Sequence, residues 1–317
     1  MDYNILGKTN LTVSAIGLGT GGPSRVGLRT GGDERAAARL IDEAIDNGAN
    51  FIDTAEAYET EHVVRRALET GRHRRRELVI STKISHWEDL TANAVGAAVD
   101  RRLQELGTDY IDICHFHAVP ADRYPWLVEE LYPELATQRD KGKVRFLGIT
   151  EAFHPDPGHK TLSLAVADDL WDVIMVGYNL LNQSAEKRVL EAALAKNIGV
   201  LVMFAVRLAL SRPTRLREVV SELMSDGLLP ESEIREAGGA VDQPLDWFVQ
   251  ESGASDLVDA AYRFVRHHAA VHVTLSGTGN KEHLAANIES VQKPPLDPKA
   301  VEKLRHLLRK VDTISGQ

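Results

Sequence analysis

The sequence predicts an α/β barrel in which eight parallel strands alternate with helices. Eight short apolar runs alternate with segments of helical periodicity along the 317 residues. This alternation implies parallel strands joined by crossover helices. Eight such units in a chain of this length favour a closed (β/α)₈ (TIM) barrel over an open doubly wound sheet, because these barrels take about 250 residues plus insertions.

The elements are expected in a regular order. A small hairpin precedes the first barrel strand, which runs from Ala15 to about Thr20. The other strands are expected at 50–53, 77–82, 110–117, 146–150, 173–176, 199–203 and 271–276. Helices are expected from Glu34 to Gly48, from just after Tyr58 to Gly71, and at 93–106, 126–141, 161–168, 185–196, 257–267 and 300–311. Several helices close on a glycine, the preferred residue just beyond a helix.

One domain is expected over residues 1–317, with a long insertion at about 208–255 before the eighth strand. Connections longer than about 15 residues are usually functional lids or disordered segments. The helical pattern LREVVSELM in this insertion leaves two alternatives open. The insertion lies over the carboxyl-terminal end of the barrel and shapes a pocket, or it covers the side of the barrel. The last helix is expected on the barrel's exterior.

Composition excludes several classes of protein. The net charge is −9, whereas a nucleic-acid partner requires a basic surface. Cys114 is the only cysteine, which excludes a secreted framework of intramolecular disulfides. The longest apolar run, 199–206, is far shorter than the roughly 18 residues of a membrane helix, and the amino terminus lacks a signal-peptide pattern. We expect a cytoplasmic protein without nucleic-acid or membrane partners. The sequence does not indicate an oligomeric state.

Polar side chains are expected to meet at the carboxyl ends of three neighbouring strands. Asp53 ends the second strand, Lys83 follows the third, and His115 or His117 ends the fourth. Tyr58 follows as a helix begins. A tyrosine has a pKa of about 10, and a nearby ammonium lowers that pKa. The group therefore predicts a proton donor for a developing alkoxide. The two histidines share strand parity, but His117 lies nearer the strand end and is preferred.

Glycine-rich turns follow the first and the eighth strands. The GxGxxG match at 17–22 is not followed by a helix until about Glu34, so we interpret it as a strand end that approaches a ligand. Gly277 and Gly279 precede a helix that begins near Asn280. Backbone N–H groups at such a site bind anions, and barrels commonly hold phosphate there. These features indicate a phosphate-bearing cofactor. The alternative is a glycine-rich turn in which Asn280 is the N-cap of the following helix and no ligand is bound.

Several motifs in this order resemble those of the aldo-keto reductase family. They are LGKTNLTVSAIGLGT, FIDTAEAY, STK, LGTDYIDICHFH, GKVRFLGIT, YNLLNQ and the last glycine-rich turn. The resemblance covers nearly the whole chain and implies a (β/α)₈ barrel with a nicotinamide cofactor extended across the ends of its strands. It implies Tyr58 as the general acid, Asp53 and Lys83 as its tuning pair, and His117 as the residue that orients the carbonyl.

The resemblance also implies the residues that contact the cofactor and the substrate. Expected cofactor contacts are Gly19, Thr20, Asp53, Thr150, Glu151, Met203, Phe204, Ala205, Arg207, Gly277, Thr278, Gly279, Asn280, Lys281, His283 and Asn287. Expected substrate contacts are Tyr58, Trp87 and His117, and no metal is expected. NADP(H) is favoured slightly over NAD(H), although Lys281 is the only basic residue close to the expected 2′-phosphate position.

Some positions depart from the family pattern. Thr150 and Glu151 replace the usual Ser-Asn pair, and Met203 and Phe204 lie where an aromatic residue usually stacks on the nicotinamide. Gly21 replaces a common tryptophan, which suggests a wider pocket or a wall formed by other residues. These changes leave the four catalytic candidates in place and affect the expected cofactor and pocket.

Three functions are compatible with these features. The first is an NAD(P)(H)-dependent oxidoreductase acting on an aldehyde, ketone, sugar or the corresponding alcohol. The second is a cofactor-binding sensor or regulatory subunit with little turnover, which the altered nicotinamide contacts motivate. The third, a barrel aldolase or isomerase using Lys83 as a Schiff base, requires a lysine without a close carboxylate, and Asp53 argues against it.

Overall fold

A closed barrel of eight parallel strands forms the centre of the fold. The computed structural model describes residues 1–85 and 87–317. Strands β1 (Tyr3–Ile5) and β2 (Thr12–Ser14) pair as an antiparallel hairpin. The barrel strands are β3 (Ile16–Gly19), β4 (Phe51–Asp53), β5 (Val79–Ile84), β6 (Ile111–Val119), β7 (Val144–Glu151), β8 (Val173–Gly177), β9 (Gly199–Met203) and β10 (Val273–Ser276). Because β10 pairs with β3 and the sheet closes, the predicted fold class is confirmed.

Helices follow the strands and surround the barrel. They are α1 (Glu34–Asp46), α2 (Glu61–Glu69), α3 (Ala92–Leu106), α4 (Tyr124–Glu130), α5 (Tyr132–Asp140), α6 (Lys160–Asp168), α7 (Glu191–Ala195), α8 (Leu208–Ser211), α9 (Pro213–Ser225), α10 (Glu231–Glu236), α11 (Asp246–Ser252), α12 (Leu257–Arg266), α13 (Lys281–Gln292) and α14 (Pro298–Leu307). The predicted helix at 126–141 is two helices, because Pro133 has no N–H to continue α4 and instead starts α5. The helix expected at 185–196 opens with a π-helical turn, Glu186–Leu190.

Apolar side chains fill the amino-terminal half of the barrel interior. The β1–β2 hairpin closes this end with Leu6 and Val13, both fully buried. Barrel side chains pack against them, namely Phe51, Val79, Ile113, Val173, Met175, Leu201 and Val273. A second apolar core lies between the outer faces of the strands and the helices. The filled interior leaves the carboxyl ends of the strands and the following loops, which we call the rim, for polar chemistry.

The register of the strands places several polar residues at similar heights in the barrel, on the carboxyl-terminal side of the apolar side chains. Asp53 lies opposite Ser81, and Lys83 lies opposite His115, which in turn lies opposite Gly148. The His115 ring occupies the space that a side chain on β7 would take, because a Cβ at Gly148 would lie 2.2 Å from His115 Nδ1. Gly148 is therefore required for the packing of the buried imidazole.

The insertion before β10 consists mainly of helices α8 to α11. Helix α8 packs against α12, and α11 packs against both α12 and α14. The Lys303 ammonium of α14 lies 4.2 Å from the centre of the Trp247 ring and 2.9 Å from the Glu251 carboxylate oxygens. These contacts support the alternative in which the insertion covers the side of the barrel.

Two features are absent from residues 1–85 and 87–317. No helix in these ranges is both long and apolar enough to cross a membrane. In the same ranges, no three His, Cys, Asp or Glu side chains are grouped so that they could hold a metal ion.

Replacing Gly148 with alanine should lower the free energy of unfolding by about 1 to 3 kcal/mol, because the added methyl group overlaps the His115 ring. In a His115→Ala background the same change should be much less destabilising, because the smaller side chain vacates that space. Urea unfolding of the wild type, the single variants and the double variant measures this coupling.

Gly96→Ala is the matched control, since a Cβ at Gly96 meets the ends of the Gln138 and Glu134 side chains, the nearest atom at 3.0 Å, and no ring. Its free energy of unfolding should remain close to that of the wild type. If Gly148→Ala were equally destabilising with and without His115, the packing explanation would fail.

Candidate functional site

A buried lysine and aspartate form the base of the site. Lys83 Nζ lies 2.7 Å from each carboxylate oxygen of Asp53 and 2.7 Å from the carbonyl oxygen of Thr54. Ser81 Oγ donates to Asp53 Oδ1 at 2.9 Å. The Lys83 side chain is fully buried and Asp53 is 2% exposed. Strands β4 and β5 therefore hold an ion pair inside the barrel, just below the rim.

These contacts keep Lys83 protonated. Burial lowers the pKa of the Lys83 ammonium, but the Asp53 carboxylate and Tyr58 outweigh it, so the net pKa lies above the ordinary 10.5. Burial raises the pKa of Asp53, and the charge of Lys83 opposes this rise. Three oxygen acceptors around one nitrogen require its three ammonium protons. The geometry therefore describes an ammonium paired with a carboxylate.

Tyr58 lies beside this pair on the 3₁₀ turn Glu56–Tyr58, which follows β4. Lys83 Nζ is 4.7 Å from the centre of the Tyr58 ring. The His117 ring meets it edge-on, with 5.5 Å between ring centres and an interplanar angle of 85°. The backbone at Gly21 also packs on this ring, since a Cβ there would lie 2.6 Å from Tyr58 Cε2. The structure brings the four predicted side chains together.

The pKa of Tyr58 is shifted in the direction opposite to the one expected from the sequence. Burial raises the pKa of Tyr58 above its ordinary 10.0; the Lys83 charge opposes the rise and the Asp53 charge adds to it. The lowering expected from Lys83 is thus outweighed by burial. The phenol keeps its proton at neutral pH, which is the form that donates.

His117 reaches the rim, and His115 does not. His115 is fully buried, and burial together with the Lys83 charge lowers its pKa well below the ordinary 6.5. His117 lies closer to the end of β6, is partly exposed, and has its Nδ1 2.8 Å from Ser85 Oγ. The position of His117 beside Tyr58 agrees with the preference drawn from the sequence.

Trp87, expected as a substrate contact, lies beneath the site instead. Its side chain is fully buried, and its Nε1 donates to the His117 carbonyl oxygen at 2.8 Å. Its ring packs near that of Trp126, with 6.3 Å between centres. Because none of the indole is accessible, Trp87 supports the backbone of His117, and the wall of a substrate pocket has to come from other residues.

The two residues that end β7 are held by internal hydrogen bonds. Glu151 accepts from the Gly177 N–H at 2.8 Å and lies 2.9 Å from His159 Nδ1. Burial raises the pKa of Glu151, and His159 opposes the rise. Thr150 Oγ1 accepts from the Ala118 N–H at 2.7 Å, which leaves the hydroxyl proton of Thr150 for a ligand. Both side chains are buried, at 1% and 2% exposure, and Thr150 is the one of this predicted pair that keeps a proton to donate.

The segment after β9 carries a cation, Arg207, for which residues 1–85 and 87–317 provide no ion pair. The Arg207 guanidinium carbon lies 3.9 Å from the centre of the Phe204 ring. Within residues 1–85 and 87–317, its buried Nε has no hydrogen-bond partner. Burial lowers the pKa of Arg207 to about 10, so it remains charged at neutral pH. Met203 points toward the barrel interior and Ala205 is buried, so Phe204 and Arg207 are the groups here that face a ligand best.

The turn after β10 leaves open backbone next to the rim. A Cβ at Gly277 would meet nothing nearer than a main-chain oxygen at 3.6 Å. Gly279 packs directly on Gly27, because a Cβ there would lie 2.4 Å from the Gly27 nitrogen. Asn280 caps α13 by accepting from the His283 N–H at 2.8 Å. The capping alternative is therefore present, and the open backbone at Gly277 remains compatible with a phosphate.

Other predicted cofactor residues are already engaged. Lys281 Nζ lies 2.8 Å from Glu43, and Asn287 donates to Ser276 Oγ at 2.9 Å. Thr20 is fully buried, with its hydroxyl bonded to the end of β4. Arg207 and the glycine turn are consequently better placed for an anionic ligand than Lys281.

Sequence reasoning missed four residues of the site, namely Ser81, Ser85, Phe153 and His159. Ser81 of β5 and Ser85, just after β5, each lie two residues from Lys83, and this two-residue spacing is a signal that could have identified them. Phe153 and His159 stack with 5.4 Å between ring centres in the loop after β7. That contact depends on the conformation of the loop, which the hydrophobic periodicity of the sequence does not predict.

Lys83→Met should lower the free energy of unfolding by about 3 to 5 kcal/mol, because it leaves the Asp53 carboxylate buried without a cation. The double variant Asp53→Asn with Lys83→Met should recover a large part of this loss, because no charge is then left unpaired. Chemical denaturation of the four proteins gives the coupling energy. A Lys83→Met protein as stable as the wild type would show that the pair is not charged in the fold.

The chain is similar in sequence to several known proteins. A family model described as the aldo/keto reductase family matches residues 15–309. The chain is 31% identical over 156 residues to L-galactose dehydrogenase of Arabidopsis thaliana, covering 47% of this chain and 48% of that protein. It is 30% identical over 223 residues to the NADH-specific methylglyoxal reductase of Escherichia coli, covering 62% and 64%. The matches thus span 48% and 64% of these two relatives' lengths, less than two thirds in both cases.

The fold also matches a solved structure over nearly its whole length. Aldo-keto reductase AKR11C1 from Bacillus halodurans, in its holo form, superposes with a TM-score of 0.71. The match covers 97% of this chain and 96% of that one, at 22% sequence identity. At this identity the likeness establishes the fold alone.

Proposed function

Because the chain belongs to the aldo/keto reductase family, we propose that it is an NAD(P)(H)-dependent oxidoreductase that transfers hydride between nicotinamide and a carbonyl or alcohol substrate. The observation that carries this proposal is the convergence of Tyr58, Lys83 and His117 at the rim. A partly buried, protonated phenol between an ammonium and an imidazole is suited to deliver a proton to a carbonyl oxygen.

The bound nicotinamide would supply or accept the hydride. In reduction, Tyr58 donates its proton to the substrate oxygen, and the Lys83 ammonium stabilises the phenolate that remains. Asp53 keeps Lys83 protonated and oriented. His117 holds the carbonyl oxygen within reach of the Tyr58 hydroxyl. In oxidation the same tyrosine, as the phenolate, takes the proton from the alcohol.

The residues present fit a phosphate-bearing cofactor on two observations. Arg207 is a buried cation whose Nε has no hydrogen-bond partner in the described chain, and it lies beside the aromatic face of Phe204. The open backbone at Gly277 leaves space at the amino end of α13. Arg207 would hold a phosphate and Thr150 would contact the nicotinamide amide. NADP(H) stays slightly favoured over NAD(H), with Arg207 taking the role expected of Lys281.

The substrate is proposed to be a small carbonyl compound or its alcohol. The names of two relatives provide starting compounds, methylglyoxal and L-galactose. The second candidate function, a cofactor-binding sensor with little turnover, is favoured by one observation. Glu151 replaces a residue that usually binds the nicotinamide amide, and its oxygens are already bonded to Gly177 and His159.

Tyr58→Phe should lower kcat for carbonyl reduction by about 10²- to 10⁴-fold, the usual contribution of a positioned general acid, and leave the cofactor Kd unchanged. The measurements are calorimetric titration with NADPH, NADH and their oxidised forms, followed by steady-state turnover on aldehydes, ketones and sugars. Tyr3→Phe, which removes a hydroxyl from an exposed residue in the β1–β2 hairpin, is the matched control.

The outcomes separate the candidate functions. Binding without turnover by the wild type would favour the sensor. Absence of binding to all four cofactor forms would contradict both the oxidoreductase and the sensor.

The pH dependence should follow the raised pKa of Tyr58. Because burial raises this pKa above 10.0, the protonated form needed for reduction persists to higher pH. We therefore expect kcat for reduction to show no alkaline loss up to about pH 10. Oxidation uses the phenolate, so its kcat should rise with pH over the same range. An alkaline loss of reduction centred near about pH 8 would contradict Tyr58 as the acid.

A further inference from the structure

Ser85 connects the two catalytic candidates that lie on different elements. It follows β5, two residues beyond Lys83, and its Oγ lies 2.8 Å from His117 Nδ1. The same oxygen accepts from the Ala57 N–H at 3.2 Å, in the turn that carries Tyr58. The Ser85 backbone N–H donates to Glu56 Oε2 at 3.1 Å in that turn. Ser85 is thus bonded to both the tyrosine turn and the histidine.

A partly buried ion network anchors this turn from behind. Arg102 of α3 forms ion pairs, with its Nη1 2.7 Å from a Glu56 carboxylate oxygen and its Nε 2.9 Å from one of Glu61. Glu61 also accepts from Thr82 Oγ1 at 2.5 Å. The Arg102 and Glu61 side chains are 8% and 5% exposed, and that of Glu56 is 22% exposed. Helices α2 and α3 therefore hold the turn at a fixed distance from β5.

The hydrogen bonds of Ser85 fit one form of the His117 ring. A hydroxyl has one proton and two lone pairs; Ser85 Oγ uses one lone pair to accept from the Ala57 N–H, and its proton can be donated to His117 Nδ1. Donation of the Ser85 proton to His117 Nδ1 makes that nitrogen the acceptor. In a neutral imidazole the remaining proton is then on Nε2. An Nε2–H can donate to a carbonyl oxygen, whereas a bare Nε2 would repel it.

We propose that Ser85 is a positioning residue that holds His117 in the Nε2–H tautomer beside Tyr58. The role of Ser85 in turnover rests on the proposed function. The tautomer of His117 does not depend on it. Trp87 supports the proposal independently, because its Nε1 donates to the His117 carbonyl oxygen and fixes the backbone of the same residue. Ser85 acts through His117 and does not itself contact the substrate.

The first test is the tautomer in the folded wild-type protein, which needs no turnover. Nitrogen NMR of protein labelled with ¹⁵N-histidine distinguishes protonated from unprotonated ring nitrogens, and His117→Gln identifies the signals of this residue. We expect an unprotonated Nδ1 and a protonated Nε2 at a pH where the ring is neutral. A protonated Nδ1 in the wild type would overturn the proposal, whatever the enzyme does with carbonyl compounds.

The second test compares three substitutions. Ser85→Ala should shift part of the His117 population to the Nδ1–H tautomer and lower kcat by about tenfold, the effect of one lost hydrogen bond. Ser85→Thr keeps the hydroxyl and should restore both the NMR signature and most of kcat. Ser225→Ala, in the exposed part of α9, is the control and should change neither.

A purely structural role predicts a different pattern. It would lower stability in Ser85→Ala without moving the His117 nitrogen signals, and that result would overturn the proposal. If no variant and no wild type shows turnover, the proposed function fails, while the NMR result still decides the tautomer. If Ser85→Ala does not fold, the wild-type spectrum and Ser85→Thr remain sufficient.

Discussion

The ion pair between Asp53 and Lys83 is the interaction on which the rest of the site depends. Both groups lie inside the barrel, where an unpaired charge would be strongly unfavourable, so each is held by the other. Lys83 also bonds the carbonyl oxygen of Thr54, at the start of the segment that leads to Tyr58. One ammonium therefore sets both the local charge and the position of the tyrosine.

Much of the fold and the centre of the site could be predicted from the sequence. Alternation of apolar runs with helical periodicity is a strong signal for parallel strands, and the carboxyl ends of those strands meet at one rim. Asp53, Lys83 and His117 end adjacent strands, so their convergence followed from order alone. The boundaries were less accurate where a local residue decided them, as Pro133 did by dividing the helix at 126–141.

The pKa of Tyr58, the position of Trp87 and the contact of Glu151 depend on three-dimensional packing, which sequence periodicity does not predict. Burial outweighs the Lys83 charge at Tyr58, so proximity of a cation gave the wrong sign for the pKa. Trp87 was expected at the substrate and lies buried below His117, because a short 3₁₀ turn points it inward. The Glu151 and His159 contact joins residues eight apart through a loop whose path sequence patterns do not determine.

The close fit of His115 to the glycine of β7 has a consequence for how this barrel can change over time. A side chain at position 148 costs less stability after position 115 has become smaller, since the imidazole occupies the same space. Substitution of position 115 before position 148 is therefore the favoured order. A histidine at 115 thus favours glycine at position 148 in descendants, even though that histidine never reaches the rim.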